Sequence, residues 1–276
     1  MRLRRYFGSA SVVFVLLASL LLSACSTTQT NLRKPWSDTR RGTIHVDLGV
    51  AYMGQGKLRI AKHELEIALK LIPDNDRANH AMALLMLRLK EPVKANAYFN
   101  KAVTSNPENA SAADDYGSYL CQSREFAKAD QQYQRALRIR LNPRPDLTNT
   151  LIALCYQKQP KKYAQARLYL EHALEINPRL EIALLGMARQ NVSEQKDLAA
   201  RAYIERYLAV AKPTPTLLLL AVGVEQRMGD NKTAAEYARQ LQTLFPKSQA
   251  LRELDQRRQS RPRAKLMRGK TQSISD

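Results

Sequence analysis

The chain repeats itself every 34 residues, and no other feature limits its possible folds so strongly. Ala61, Leu65, Ala68 and Pro73 are followed one period later by Ala95, Phe99, Ala102 and Pro107, and then by Ala129, Tyr133 and Ala136. Upstream in the same units, Leu48-Gly49 with Tyr52 recurs as Met82-Ala83 with Met86 and as Tyr116-Gly117 with Leu120. Each unit therefore reads as two helices. A small residue on the first (Gly49, Ala83, Gly117) faces an alanine on the second (Ala61, Ala95, Ala129), so that the two cross closely. Tyr52, Phe99 and Tyr133 fill the space between units. Pro73 and Pro107 stop the second helix, because proline has no amide proton and clashes with the preceding turn. Such a unit leaves an apolar face that only the next unit can cover, which makes the chain a stack.

Helix pairs at this period resemble tetratricopeptide (TPR) repeats. The expected fold is all-α, a TPR superhelical solenoid of about six helix-turn-helix repeats over residues 42–251, four regular and two degenerate. In the fourth unit the second helix is clear from Ala166, Leu170, Ala173 and Pro178. Its first helix, with Ile152-Ala153 and Tyr156, fits if one residue is inserted in the polar stretch 157–162, where an insertion costs little. A fifth unit, Ile182 to Tyr207, has lost most signature positions. The sixth runs from Gly229-Asp230 through Ala234, Ala238 and Leu241 to Pro246, beyond the turn at Lys212-Pro213-Thr214-Pro215.

The ends differ in character. Arg2, Arg4 and Arg5 precede an apolar run, Val12 to Leu22, that is too short to span a bilayer and has the shape of an export signal. The run ends in Leu22-Ser23-Ala24-Cys25, which resembles the lipobox of bacterial lipoproteins. The resemblance implies cleavage after residue 24 and a diacylglycerol thioether plus an N-acyl chain on Cys25. Several chains anchor stably, each buried methylene contributing roughly 0.8 kcal/mol. An ordinary signal peptide with an incidental cysteine is the alternative. Ser26, where an aspartate would hold a lipoprotein at the inner membrane, implies the outer membrane. Residues 25–41 read as a flexible tether. Residues 252–276, dense in arginine and lysine, read as a disordered basic tail.

No catalytic constellation is present. His45, His63, His80 and His172 lack the spacing and carboxylate partner of a helical metal site, and Gly49, Gly54 and Gly56 belong to a helix crossing and a turn rather than a phosphate loop. The expected protein is not an enzyme and needs no metal, cofactor or small-molecule substrate. At 45% apolar and 25% charged residues it is an ordered protein, with a net charge of +19 that falls to +16 when residues 1–24 and their three arginines are removed. So basic a chain suits nucleic acid, but a periplasmic lipoprotein meets little of it. Lipid phosphates, anionic wall material, an acidic partner protein or a merely solvated surface account for the charge better.

With Cys25 lipidated, Cys121 and Cys155 are left, either as a pair or as two unrelated small hydrophobes. Cys121 lies four positions after Gly117 and Cys155 two after Ala153, about 160° apart around their helices at about 100° per residue. Stacked neighbours need one cysteine looking forward and one back, so a disulfide across the third and fourth repeats is expected. Closing a loop of that length stabilises by roughly 4 kcal/mol in the chain-entropy model.

The lipobox, Gly49-Val50-Ala51-Tyr52 with Gly56, the run Asp115-Tyr116-Gly117-Ser118-Tyr119-Leu120-Cys121, Cys155, and Leu244-Phe245-Pro246-Lys247-Ser248 together resemble the type IV pilus biogenesis lipoproteins of the PilF/PilW type, which are secretin pilotins. The resemblance implies an outer-membrane lipoprotein, its solenoid facing the periplasm, that helps the pilus secretin assemble and acts by binding. A groove lined by first helices would hold a segment of the secretin, with His45, Tyr52, Asn79 and Met86 as candidate contacts. A scaffold for peptidoglycan hydrolases, or a charge-driven binder of wall or lipopolysaccharide, are the alternatives.

Overall fold

The computed structural model describes residues 37–259, so Cys25, the export signal, most of the tether and the end of the basic tail lie outside it. Among the described residues there is no strand. The chain divides into two compact units, parted between Pro73 and Asp74.

The first unit is one helical hairpin, α1 (Asp38–Gly54) and α2 (Leu58–Leu71). Helix begins at Asp38, four residues inside the expected tether, because Ser37 caps it: its Oγ accepts from the amide of Arg40 at 3.3 Å. Gly49 lies where the helices cross, and a Cβ there would stand 2.6 Å from Cγ of Leu65.

The second unit contains five more pairs: α3 (Asp76–Arg88) with α4 (Pro92–Ser105), α5 (Ala110–Gln122) with α6 (Phe126–Arg138), α7 (Pro145–Tyr156) with α8 (Tyr163–Ile176), α9 (Glu181–Ser193) with α10 (Asp197–Leu208), and α11 (Pro215–Met228) with α12 (Asn231–Leu244). A final helix, α13, runs over 249–259. Each second helix packs on the first helix that follows it, and the first helices also touch one another, α3 on α5, α5 on α7, α7 on α9 and α9 on α11. The second helices have no comparable mutual contact within this unit, which puts the first helices on its inner face.

The small residues act as the sequence suggests. Ala61, Ala83, Ala95 and Ala129 are fully buried, and so is Phe99, whose ring stacks at 5.5 Å on Tyr116 of the next repeat. The fifth repeat is better preserved than expected. Ala200, Ile204 and Tyr207 stand one period after Ala166, Leu170 and Ala173 and are buried like them. The insertion in the fourth repeat is also larger: six residues, 157–162, with a 3-10 turn at Pro160–Lys162, join α7 to α8, where three, 123–125, join α5 to α6.

The turn between paired helices returns a left-handed residue at the same place in five repeats, Gly56, Lys90, Arg124, Gln195 and Gly229, with φ between 59° and 81°. Glycine fits there freely, whereas lysine, arginine and glutamine do so at a cost of about 1 kcal/mol.

The tail expectation fails for residues 252–259. Ser248 caps α13, and Ala250 and Leu254 bury themselves against Leu218, Val222, Ala238 and Leu241, while Arg252, Arg257 and Arg258 stay outward. This helix therefore covers the apolar face that the sixth repeat would otherwise expose.

Gly117→Ala should separate two opposed effects. Helix propensity favours alanine by about 1 kcal/mol, but the new Cβ would lie 2.6 Å from the ring of Tyr133, which is 2% exposed and donates a 3.2 Å hydrogen bond to Ser118. A ring so fixed cannot yield, and a net loss of about 1–3 kcal/mol in a urea titration is expected. Arg124→Gly should gain up to about 1 kcal/mol in the same measurement.

Candidate functional site

The histidines do not gather. His45 meets Glu64 at 2.7 Å across the first hairpin, His80 meets Asp115 at 2.8 Å between α3 and α5, and His172 meets Glu175 on its own helix. Among the described residues no three histidine, cysteine or acidic side chains are placed to hold a metal ion.

The four groove candidates separate by burial. In the first unit, His45 and Tyr52 are half-buried, His45 tied to Glu64 and the Tyr52 ring covered by the Lys57 ammonium 5.7 Å away. In the second unit, Asn79 is fully buried, its amide donating to the Asn75 carbonyl at 2.8 Å, and Met86 is 2% exposed. Neither can meet a partner, which corrects the expectation for both. They lie on the side of α3 that packs against the protein, and a polar amide reads as a surface residue until its local hydrogen bond is seen.

The second unit carries a recess of about 410 Å³ on its first-helix side, over the third to fifth repeats. Ser118 and Gln122 of α5, Leu151 and Leu154 of α7, and Arg189 of α9 line it. Cys121 and Cys155 also line it, and the structure joins them, with Cα atoms 5.9 Å apart. Seven residues before this pair, two helical turns up both helices, the hydroxyl of Thr148 donates to Oδ2 of Asp114 at 2.7 Å. Two cross-connections thus hold α5 to α7, both between residues one period apart.

Asp114 is 5% exposed and its Oδ1 has no partner among the described residues. Burial pushes its pKa up to about 7; the Thr148 hydrogen bond opposes that shift, and the nearby Asp115 carboxylate adds to it. Further along, the side chain of Gln157 donates to the Gly186 carbonyl and to Gln190 on α9, both at 3.0 Å. Arg201 of α10 clamps Glu225 of α11, a carboxylate only 2% exposed, through both oxygens.

Comparison with known proteins agrees with this architecture. The tetratricopeptide repeat family model matches residues 148–180, which take in most of α7 and all of α8. The type IV pilus assembly protein PilF of Pseudomonas aeruginosa is 28% identical over 239 residues, covering 87% of this chain and 94% of the relative. A solved structure from the functional characterisation of Pseudomonas aeruginosa PilF superposes with a TM-score of 0.69 at 27% identity, over 80% of this chain and 100% of that one. The structure of PilW, described as a widely conserved type IV pilus biogenesis factor, gives 0.70 at 28% identity over 77% and 97%. The chain is a tetratricopeptide-repeat solenoid. Its likeness to the PilF/PilW-type proteins holds in sequence and in fold over most of its length.

Of the candidates drawn from the early repeats, Asn79 and Met86 are interior, while His45 and Tyr52 keep part of their surface. Leu151, Leu154 and Arg189 were not singled out from the TPR sequence, although Arg189 follows Cys155 at the separation that divides Cys155 from Cys121. Reading that column of positions along the solenoid would have found it.

Asp114 gives the solenoid a testable pH response. The folded chain holds this proton to about pH 7, while the unfolded chain releases it near the ordinary value of 3.8. Stability from this group is therefore complete below about pH 4 and is lost as pH rises toward 7. Asp114→Asn should flatten the fall in unfolding free energy between pH 4 and pH 8 relative to the parent. Equal slopes would show that Asp114 titrates normally.

Proposed function

We propose that this solenoid is an outer-membrane lipoprotein of type IV pilus biogenesis that binds the pilus secretin and assists its assembly, by recognition rather than catalysis. The observation that carries the reading is the likeness to PilF over 87% of the chain, and the recess on the first-helix side supports it. The lipobox at Leu22 to Cys25 supports the anchor, with diacylglycerol and an N-acyl chain on Cys25, and Ser26 supports the outer membrane. Twelve residues, 26–37, then separate the lipid-bearing Cys25 from the first described helix, enough to leave the repeats free in the periplasm. An oxidising periplasm also suits the bond between Cys121 and Cys155.

The test is deletion of the gene followed by a gel for heat-resistant secretin multimers in outer membranes. Loss of the multimers and of pili is expected. Unchanged multimers with normal pili would overturn the proposal, and co-purification with cell-wall hydrolases would favour the scaffold reading. Cys25→Ala should give a folded but mislocalised solenoid, seen as unchanged circular dichroism with loss from the membrane fraction. Thiol titration of the mature, unreduced protein should find neither Cys121 nor Cys155 reactive.

A further inference from the structure

Arg189 is out of place in its column. One period apart on the first helices stand Leu87, Cys121, Cys155, Arg189 and Gly223. All but Arg189 are uncharged. Three arginines of the flanking helices are paired: Arg167 with Glu194, Arg201 with Glu225, Arg227 with Asp197. Arg189 alone of these four has no hydrogen bond or ion pair among the described residues, and Lys158, the other cation at the recess, has no side-chain partner either. Among the described residues no carboxylate lines the recess; its walls are otherwise the joined cysteines, Leu151, Leu154, Tyr133 and neutral polar groups. Arg189 is exposed to solvent beside these walls, so its guanidinium is free to meet an incoming anion.

We infer that the recess over the third to fifth repeats takes a peptide segment of a partner protein that places an aspartate or glutamate on Arg189 and an adjacent bulky apolar side chain on Leu151, Leu154 and the Cys121–Cys155 pair. The inference rests on reading the first-helix face as a protein-binding groove and adds the chemical class of what binds there. A planar guanidinium takes a carboxylate through two parallel hydrogen bonds, so the cation supplies orientation as well as attraction. Leucines and cysteines beside it supply an apolar seat that water leaves readily.

The test uses the full mature chain and two probe sets: a random dodecapeptide library, and overlapping peptides tiling the periplasmic part of the secretin from the same organism. Acidic residues next to leucine, isoleucine or phenylalanine should be enriched among the bound sequences. Replacing the acid of the best binder by its amide should weaken it tenfold or more, and Arg189→Ala should do the same while leaving the amide peptide unaffected. Arg189→Glu should shift the preference to lysine-bearing peptides, an outcome that misfolding cannot produce. Absence of acidic enrichment, equal binding by Arg189→Ala, or no peptide binding at all would overturn the inference. Acidic library peptides that bind through Arg189 while no secretin tile binds would uphold it and refute the secretin; secretin tiles that bind regardless of Arg189 would do the reverse.

Discussion

The close crossing of paired helices at glycine and alanine is the constraint on which everything else rests. With Gly49, Ala83 and Gly117 on one helix and Ala61, Ala95 and Ala129 on the other, the backbones approach closely, and at the two glycines Leu65 and Tyr133 of the second helix lie against bare backbone. That geometry turns the remaining apolar surface of each pair toward the next. Repetition follows because no pair can bury its own face, and termination needs a special element, supplied here by Leu254 and its neighbours on α13.

Above this regular packing lies a less regular set of ties between repeats. Helices α5 and α7 are held by a sulfur–sulfur link and by the Thr148–Asp114 hydrogen bond, α7 and α9 by Gln157, and the fifth and sixth repeats by Arg201 on Glu225. The hydrogen bond is costly, since Asp114 keeps one oxygen unpaired and is desolvated toward neutrality. Two of these ties, the cysteine pair and Gln157, line the recess itself. A groove that orders a partner's segment benefits from walls already fixed, because less conformational freedom is then lost on binding.

The periodicity made the helix pairs, their number and the crossing residues legible, because those depend on side-chain size at fixed spacing. Other features depend on facts that spacing does not carry. A 34-residue period marks Asn79 and Met86 as recurring positions but does not say which side of α3 is covered, and both proved to be interior. The loop 157–162 hid its extra residues because polar loops have no register to read. The arginines of 252–258 masked Leu254, which alone buries deeply in α13. In the fifth repeat the loss of consensus letters hid a second helix that keeps Ala200, Ile204 and Tyr207 in phase. Arg189 was missed because a charged residue on a helix usually reads as a solvated one, and only the structure shows that no acid faces it.

That the solenoid works through its first-helix face is the central claim, and site-specific photocrosslinking in living cells tests it most directly. A photoreactive phenylalanine analogue would replace Leu154, in the recess, or Leu168, which is 65% exposed on the second helix of the same repeat. The expected result is a crosslink to the secretin from position 154 and none from position 168. Crosslinks from 168 alone, or equally from both positions, would contradict it.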